Sequence, residues 1–338
     1  MKSVDCPLVS VVMGCYNSEA FIREAIDSIL SQTLKDFEFI IIDDGSTDKT
    51  VEVVKSYNDS RIHLIQNQTN RGLGYSLYTG VKMSRGKYIA RMDADDISLP
   101  YRLERQVDFL STNPDYLIVG SACAPFSGKN DIRISKRIIS KEKSMSAIRS
   151  VVLFGVPFVH PSVMMNAAIM KRDRINYNSN FRKAQDYELW SRVVWDYKST
   201  NLSEVLLKYR QSPTQASRLY HHEQLNYSKL IWAFVLPKIL CRDVSDDELN
   251  YHYLSIVTTP LNNNQLNSVA NWNNELYEMS INNALFDSDV LLKNMLDRWL
   301  KTCVCSLPKL KRFHWFSRLP QVKSKVMMAR YYFHLLHD

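Results

Sequence analysis

The sequence predicts an α/β protein built on a parallel sheet, followed by a helical region. Three observations carry this. Short runs rich in β-branched residues alternate with amphipathic helical stretches through short turns, as in sheets with right-handed crossovers. Three of those runs end in polar clusters, at Tyr16-Asn17, Asp43-Asp44 and Asp93-Ala94-Asp95. From about Ser217 the strand-like runs stop and helical patterns follow one another.

Residues 8–13 are rich in β-branched residues and read as a buried strand. The run breaks at Gly14-Cys15-Tyr16-Asn17, after which Asn17 or Ser18 is placed to cap a helix. In that helix Phe21, Ile22, Ala25, Ile26, Ile29 and Leu30 make one apolar stripe. A second strand over 37–42 closes at Asp43 through Asp48. A helix carrying Val51, Val53 and Val54 follows, then a third strand over 62–65. Asn70-Arg71-Gly72-Leu73-Gly74 leads into another helix that ends near Gly86, and a central strand then runs into Asp93-Ala94-Asp95-Asp96. After Pro100, Leu103, Val107 and Leu110 mark a helix, and 116–120 a strand; residues 127–146 show no clear period. Residues 156–165 read as a loop entering a strand. Lys183 to Trp190 opens a helix that buries Leu189, Trp190, Val193 and Val194 and holds Asp186 in its first turn, where the helix dipole favours a carboxylate. Stability alone would also account for that residue. The later helices are expected over 225–240, 246–257, 276–285 and 290–303.

The acidic cluster is where chemistry is expected. Side chains alternate along an extended chain, so Asp93 and Asp95 point to one side with only Ala94 between them. Like charges that close repel unless a cation or proton is shared. Ligands of α/β sheets sit at the carboxyl ends of strands, where this cluster falls. A hard divalent ion held by one or two carboxylates and a substrate's phosphates suits such a place. A single Asp at a strand end is as often a turn former or cap, and the triple makes that reading weaker. No Gly-x-Gly-x-x-Gly follows the first strand, and no P-loop is present.

Composition bounds the rest. The chain has 338 residues, 45% hydrophobic and 23% charged, which is that of an ordinary globular protein. A formal charge of +8 points to an anionic partner such as a nucleotide, a nucleic acid or an acidic membrane surface. The six cysteines have neither disulfide-framework nor zinc-ribbon spacing, so buried or incidental thiols in a reducing compartment are expected. The N-terminal apolar run is too brief for a cleavable signal, and no stretch approaches the ~20 apolar residues of a membrane span.

Four segments stand in a fixed order: Val11-Val12-Met13-Gly14-Cys15-Tyr16-Asn17; Ile40-Ile41-Ile42-Asp43-Asp44-Gly45-Ser46-Thr47-Asp48; Met92-Asp93-Ala94-Asp95-Asp96; and Gln185-Asp186-Tyr187-Glu188-Leu189-Trp190. Together they resemble the family 2 glycosyltransferases, inverting enzymes that use nucleotide sugars. The resemblance covers about residues 7–215. It implies the GT-A fold, a mixed, mostly parallel sheet flanked by helices. The expected organisation is a catalytic domain over 1–215 and a helical region over 216–338. It implies that Tyr16 and Asn17 lie against the nucleotide, that Asp44 or Asp43 meets the base, and that Arg71 approaches the base or phosphates. Asp93 and Ala94 would lie on the donor, with Asp93 on the ribose or metal side. Asp95, with Asp93 and Asp96, would hold Mn²⁺ or Mg²⁺ on the diphosphate. Asp186 would be the general base. His160, in His160-Pro161-Ser162, would stand near the acceptor or diphosphate. Gln185 departs from the Glu many members carry before the catalytic Asp; the base itself is retained.

The donor expected from the resemblance is a UDP-sugar, with GDP and dTDP left open by Asp44. The acceptor expected is a glycan or lipid-linked saccharide of a surface polysaccharide (O-antigen, capsule or lipooligosaccharide). Residues 307–336 mix Lys309, Lys311, Arg312 and Arg318 with Phe313, Trp315 and Phe316 and carry no acid. That composition suits peripheral contact with an anionic membrane at the inner, cytoplasmic face, and equally a packed helix with a solvated basic face. Three other readings compete. A sugar-1-phosphate nucleotidyltransferase usually opens with a Gly-rich basic loop, which is missing here. A non-catalytic nucleotide-sugar or glycan-binding module would not need Asp93, Asp95 and Asp186. A nucleic-acid binder ranks last because the strongest local features are acidic.

Overall fold

A computed structural model describes residues 6–128, 133–134, 138–211, 221–257, 259–281 and 283–307. It opens with β1 (Val9–Cys15), α1 (Ile22–Leu30), β2 (Phe37–Asp43), α2 (Thr50–Lys55), β3 (Ile62–Gln66), α3 (Leu73–Met83) and β4 (Tyr88–Asp93). Then come β5 (Ile97–Ser98), α4 (Arg102–Thr112), β6 (Tyr116–Ser127), β7 (Arg133–Ile134), α5 (Met145–Val152), β8 (Met164–Asn166), α6 (Ala167–Arg172), α7 (Gln185–Val193) and β9 (Lys198–Arg210). The last helices are α8 (His221–Leu240), α9 (Asp246–Ile256), α10 (Asn263–Ile281) and α11 (Ser288–Ser306).

Among the described residues the strands form one nine-stranded sheet in the order β3-β2-β1-β4-β8-β6-β9-β5, with β7 paired to β6. Strands β3, β2, β1 and β4 are mutually parallel, and β1 and β2 are buried along their whole length, as parallel strands covered on both faces are. Val9, Val11 and Met13 face Ile22, Ala25, Ile26 and Ile29 of α1 in the core. Each such fully buried Val, Ile or Met side chain contributes about 1.5–3 kcal/mol. On the other face α3 lies close to the sheet because Gly80 has no side chain: a Cβ there would stand 2.4 Å from Val12 Cγ1.

The register levels the strand ends. Cys15 pairs with Asp43 and Gly14 with Asp93, so the loops leaving β1, β2 and β4 emerge at one edge. Strand β8 runs antiparallel between β4 and β6, and this makes the sheet mixed.

Two features differ from the sequence reading. Helix α1 starts later than a cap at Asn17 or Ser18 allows: its N-cap is Phe21, and the Ser18 carbonyl accepts from Phe21 N and Ile22 N. Strand β9 escaped periodicity altogether. Its pairing with β6 slips between Ser121/Ala122 and Ala122/Cys123, so extra residues around Ser203 and Glu204 break the period-2 alternation.

The described chain divides into two compact units. One comprises residues up to Ser144 with Val156–Ser228, and the other Met145–Gly155 with residues from Lys229 on. The sequence reading set one boundary, at 215/216, from the extent of the resemblance and the change of composition near Ser217. The segment carrying α5 groups with the later helices because its burial partners lie there. The buried His252 ring donates from Nε2 to the Leu153 carbonyl at 2.8 Å and accepts Trp272 Nε1 on Nδ1 at 3.3 Å. Burial pushes this imidazole down to about 4. Among the described residues no helix is long and apolar enough to cross a membrane. The basic, aromatic stretch beyond Leu307 lies outside the described residues.

Candidate active site

At the edge where β1, β2 and β4 end lies a cavity of about 760 Å³, within the range of small-ligand sites. Its wall includes Tyr16, Asn17, Asp44, Asp93, Ala94 and Asp95, joined by Arg182, Lys183, Gln185 and Tyr227.

The loops leaving β1 and β2 are tied together through Asn17, which sits at φ 47. Its backbone N–H donates to Ser46 Oγ at 2.9 Å, and its Oδ1 accepts Thr47 N at 2.8 Å. Asp44 organises the next loop. Its carboxylate accepts Asn67 Nδ2 at 2.8 Å, Arg71 N at 3.0 Å and Gly72 N at 2.7 Å. Asp43 turns inward and accepts Ser46 N at 3.1 Å, away from the cavity wall. Arg71 also stands apart: its guanidinium lies 3.4 Å over the Tyr75 ring. Of the neighbouring aspartates considered for the base, Asp44 alone reaches the cavity wall.

The acidic loop is held from two sides. Candidate ligand oxygens of Asp93, Asp95 and Asp96 all lie within 4.8 Å of one another. Asp96 Oδ1 accepts Arg210 N at 2.7 Å, while its buried Oδ2 has no partner. Arg210 also donates from Nε to the Asp95 carbonyl at 2.5 Å and pairs through Nη2 with Glu24 at 2.6 Å. Burial and then the charge of Asp93 push the Asp95 carboxyl up to about 6. Burial, then Asp95 and Asp93, raise the Asp96 carboxyl well above the ordinary carboxylate range. A cluster short of positive charge, with one buried oxygen unserved, fits a hard divalent cation.

Arg91, two residues before Asp93 in β4, is 2% exposed and forms an ion pair through Nη2 with Asp93 Oδ1. Its Nε and Nη1 are buried without hydrogen-bond partners. An unserved buried donor typically costs about 1–3 kcal/mol.

Asp186 occupies the first turn of α7, whose N-cap Ala184 is left-handed at φ 56. It is half-buried and does not itself line the cavity; the adjacent Gln185 does. Burial raises its carboxyl, opposed by a Tyr187 backbone hydrogen bond and by Arg91. His160 is not among the residues lining the cavity. It is buried in a 3-10 turn, its Nε2 is 2.8 Å from the Tyr177 hydroxyl, and it packs edge-on to Trp190. Burial and Arg91 hold its pKa well below the usual histidine range.

The residues the sequence reading missed are mostly basic. Arg91 was within reach of it, since a period of 2 puts Arg91 and Asp93 on one face. Arg210 and the Arg182–Lys183 pair had no local signal.

The glycosyl transferase family 2 model matches residues 10–173. An uncharacterized glycosyltransferase of Methanocaldococcus jannaschii is 37% identical over 268 residues, 76% of this chain and 91% of that protein. The chain belongs to glycosyl transferase family 2. It is therefore a transferase enzyme. An O-antigen biosynthesis glycosyltransferase of Escherichia coli, WbnJ, is 32% identical over 65% of this chain and 87% of its own length. Among solved structures, S. aureus TarS 1–349 in complex with UDP-GlcNAc superposes with a TM-score of 0.56 at 16% identity, covering 95% of this chain and 92% of that one. A mannosyltransferase of Pyrobaculum calidifontis in complex with GDP-Man and Mn²⁺ superposes at 0.51 and 14% identity, over 99% and 88%. The fold is GT-A.

Proposed function

We propose that this enzyme is an inverting, metal-dependent glycosyltransferase that moves a sugar from a UDP-sugar to a hydroxyl of a lipid-linked glycan in surface-polysaccharide synthesis. The observation carrying the reading is the Asp93, Asp95 and Asp96 carboxylate cluster, with its unserved Asp96 oxygen, beside the cavity that Tyr16, Asn17 and Asp44 line.

Asp93, Asp95 and Asp96 are the residues that would hold Mn²⁺ or Mg²⁺; such an ion supplies charge neutralisation at the departing diphosphate. Tyr16 offers a ring at the cavity wall for the nucleotide, and Asp44 keeps the adjoining loop in shape. Asp186 takes the proton of the acceptor hydroxyl as that oxygen bonds the anomeric carbon and the bond to the nucleoside diphosphate breaks. The attack comes from the face opposite the leaving group and inverts the centre. Burial raises the Asp186 carboxyl towards the working pH, as general-base catalysis favours. Such assistance is worth about 10²–10⁴-fold. The structural relatives carry UDP-GlcNAc and GDP-Man, so the choice of UDP follows the frequency of that donor in the family. The named role of the E. coli relative supports the acceptor class. The basic, aromatic residues after Leu307 would bring the enzyme to the inner face of the membrane where such acceptors lie.

The test is calorimetric titration of UDP, GDP and dTDP, each with and without Mn²⁺. Metal-dependent binding of one nucleotide, lost in Asp95→Ala and spared in Asp186→Asn, is expected. Binding that ignores Mn²⁺, or fails equally in both variants, would overturn the division of roles.

A further inference from the structure

Arg210, the last residue of β9, is 1% exposed, and each nitrogen of its guanidinium goes to a different segment. Nε donates to the Asp95 carbonyl at 2.5 Å, Nη1 to the Gly128 carbonyl, and Nη2 to Glu24 Oε2 at 2.6 Å. The guanidinium carbon lies 4.2 Å from the centre of the Phe21 ring and 4.3 Å from that of Phe126. The Arg210 backbone adds a further contact, its N–H donating to Asp96 Oδ1 at 2.7 Å. One residue thus holds both Asp95 and Asp96, while Asp96 Oδ2 stays buried and unserved. Strand β5 is only two residues long and pairs Ile97 with Lys208, which brings this end of β9 against the acidic loop. On the other side Glu24 stands in the first turn of α1, and Phe21, the N-cap of that helix, lines the cavity. Arg210 therefore bridges the acidic loop and the start of α1. Carboxylates that repel one another keep their mutual geometry only where other groups fix it. A planar guanidinium with donors on separate edges can fix it, and an ammonium, a point charge, cannot. A cation beside a metal site also repels the metal, so any help from Arg210 to an ion comes through geometry.

We propose that Arg210 is a positioning residue for the divalent ion, its guanidinium fixing the Asp95–Asp96 loop against the start of α1 so that the carboxylates meet the ion as a set. The inference rests on the reading of Asp93, Asp95 and Asp96 as the metal ligands. Arg210 acts through the loop, and no bond to it forms or breaks in the reaction. Groups that orient a metal's ligands govern its affinity although they do not touch it.

Arg210→Lys tests this, because lysine keeps the charge and loses the fork. Mn²⁺ binding is read from the paramagnetic resonance of free Mn²⁺, with UDP, GDP or dTDP present, whichever the wild type binds. Thermal unfolding in chelator and donor hydrolysis against Mn²⁺ concentration accompany it. Arg210→Lys is expected to unfold cooperatively and to bind Mn²⁺ about 10–100-fold more weakly. Its hydrolysis should need correspondingly more Mn²⁺ and approach the wild-type kcat once Mn²⁺ saturates. An Mn²⁺ affinity within about threefold of the wild type, short of that range, would mean that charge alone suffices and overturn the proposal. So would a loss of kcat that saturating Mn²⁺ does not restore. If Arg210→Lys does not fold, Glu24→Ala decides, since Glu24 is partly exposed and its contact is with Arg210. Weaker Mn²⁺ binding at a nearly unchanged unfolding temperature is then expected, and unchanged Mn²⁺ binding would overturn the proposal. A wild type that binds no Mn²⁺ with any of the three nucleotides would remove the metal-ligand reading itself, an outcome read before any variant.

Discussion

Asp95→Asn should make the metal-free protein more stable while destroying its metal-dependent nucleotide binding. The Asp95 carboxyl lies at about 6 against an ordinary 3.8, chiefly through burial and then through Asp93. Its folded-state value is above its unfolded one, so the charged form is penalised in the fold. The penalty is complete above about pH 6 and vanishes below the unfolded value near 4. At about 1.36 kcal/mol for each tenfold change in proton affinity, the rise corresponds to about 3 kcal/mol at neutral pH. Because Asp93 and Asp96 share the same field, removing one charge should recover about 1–3 kcal/mol of it. For a unit of this size that is roughly 2–10 °C in Tm. Scanning fluorimetry of both proteins in chelator at pH 7.5 and pH 4.5 reads it directly. The variant should melt higher at pH 7.5, with the gap narrowing to about a third at pH 4.5, and Mn²⁺ should raise only the wild type. A variant that melts lower at pH 7.5, or a gap that does not depend on pH, would refute the picture of a cluster strained by its own charge.

Other expectations follow from the same contacts. Asp44→Asn replaces an acceptor of three hydrogen bonds by a group that turns N–H against N–H, so the Arg71 and Gly72 amides should exchange roughly 10–150-fold faster for the roughly 1.5–3 kcal/mol lost; hydrogen exchange of peptides spanning the loop checks this. Asp186→Asn should leave UDP binding within twofold and reduce turnover by about 10²–10⁴-fold, as steady-state kinetics would show. With burial raising Asp186, turnover should fall on acidification already above the ordinary carboxylate range; a kcat profile flat down to pH 4 would contradict it. Gly74→Ala puts a Cβ 2.3 Å from the Phe181 carbonyl, an overpacking of about 1–3 kcal/mol that denaturant titration should detect along with weaker nucleotide binding.

Much of the fold and part of the site were legible in the chain, because they depend on local pattern. The apolar runs of β1, β2 and β4 are long enough to be strands buried on both faces, and they stop at the polar residues that form the cavity edge. The helix carrying Asp186 was legible in the spacing of Leu189, Trp190 and Val193. The family followed from four motifs in order, each a strand end or helix start. What failed were local rules overridden by long-range partners. Asn17 had the chemistry of a cap, but Thr47 takes its side-chain oxygen and α1 begins later. The contacts of His160 with Tyr177 and Trp190 likewise join residues that no local pattern connects. Strand β9 carries no clean alternation because its bulges do not matter to it alone; they match β6.

The sequence by itself therefore determined the alternation of strand and helix, the family and the acidic cluster, since hydrophobic period and motif order act over a few residues. Only the tertiary structure decided what surrounds that cluster. Arg210 reaches it from more than a hundred residues away, Arg182 and Tyr227 close the cavity, and Arg91 faces Asp93 with two nitrogens unserved. Charge acts through space over several ångströms and through low dielectric, and no pattern along the chain records which distant side chains will share it.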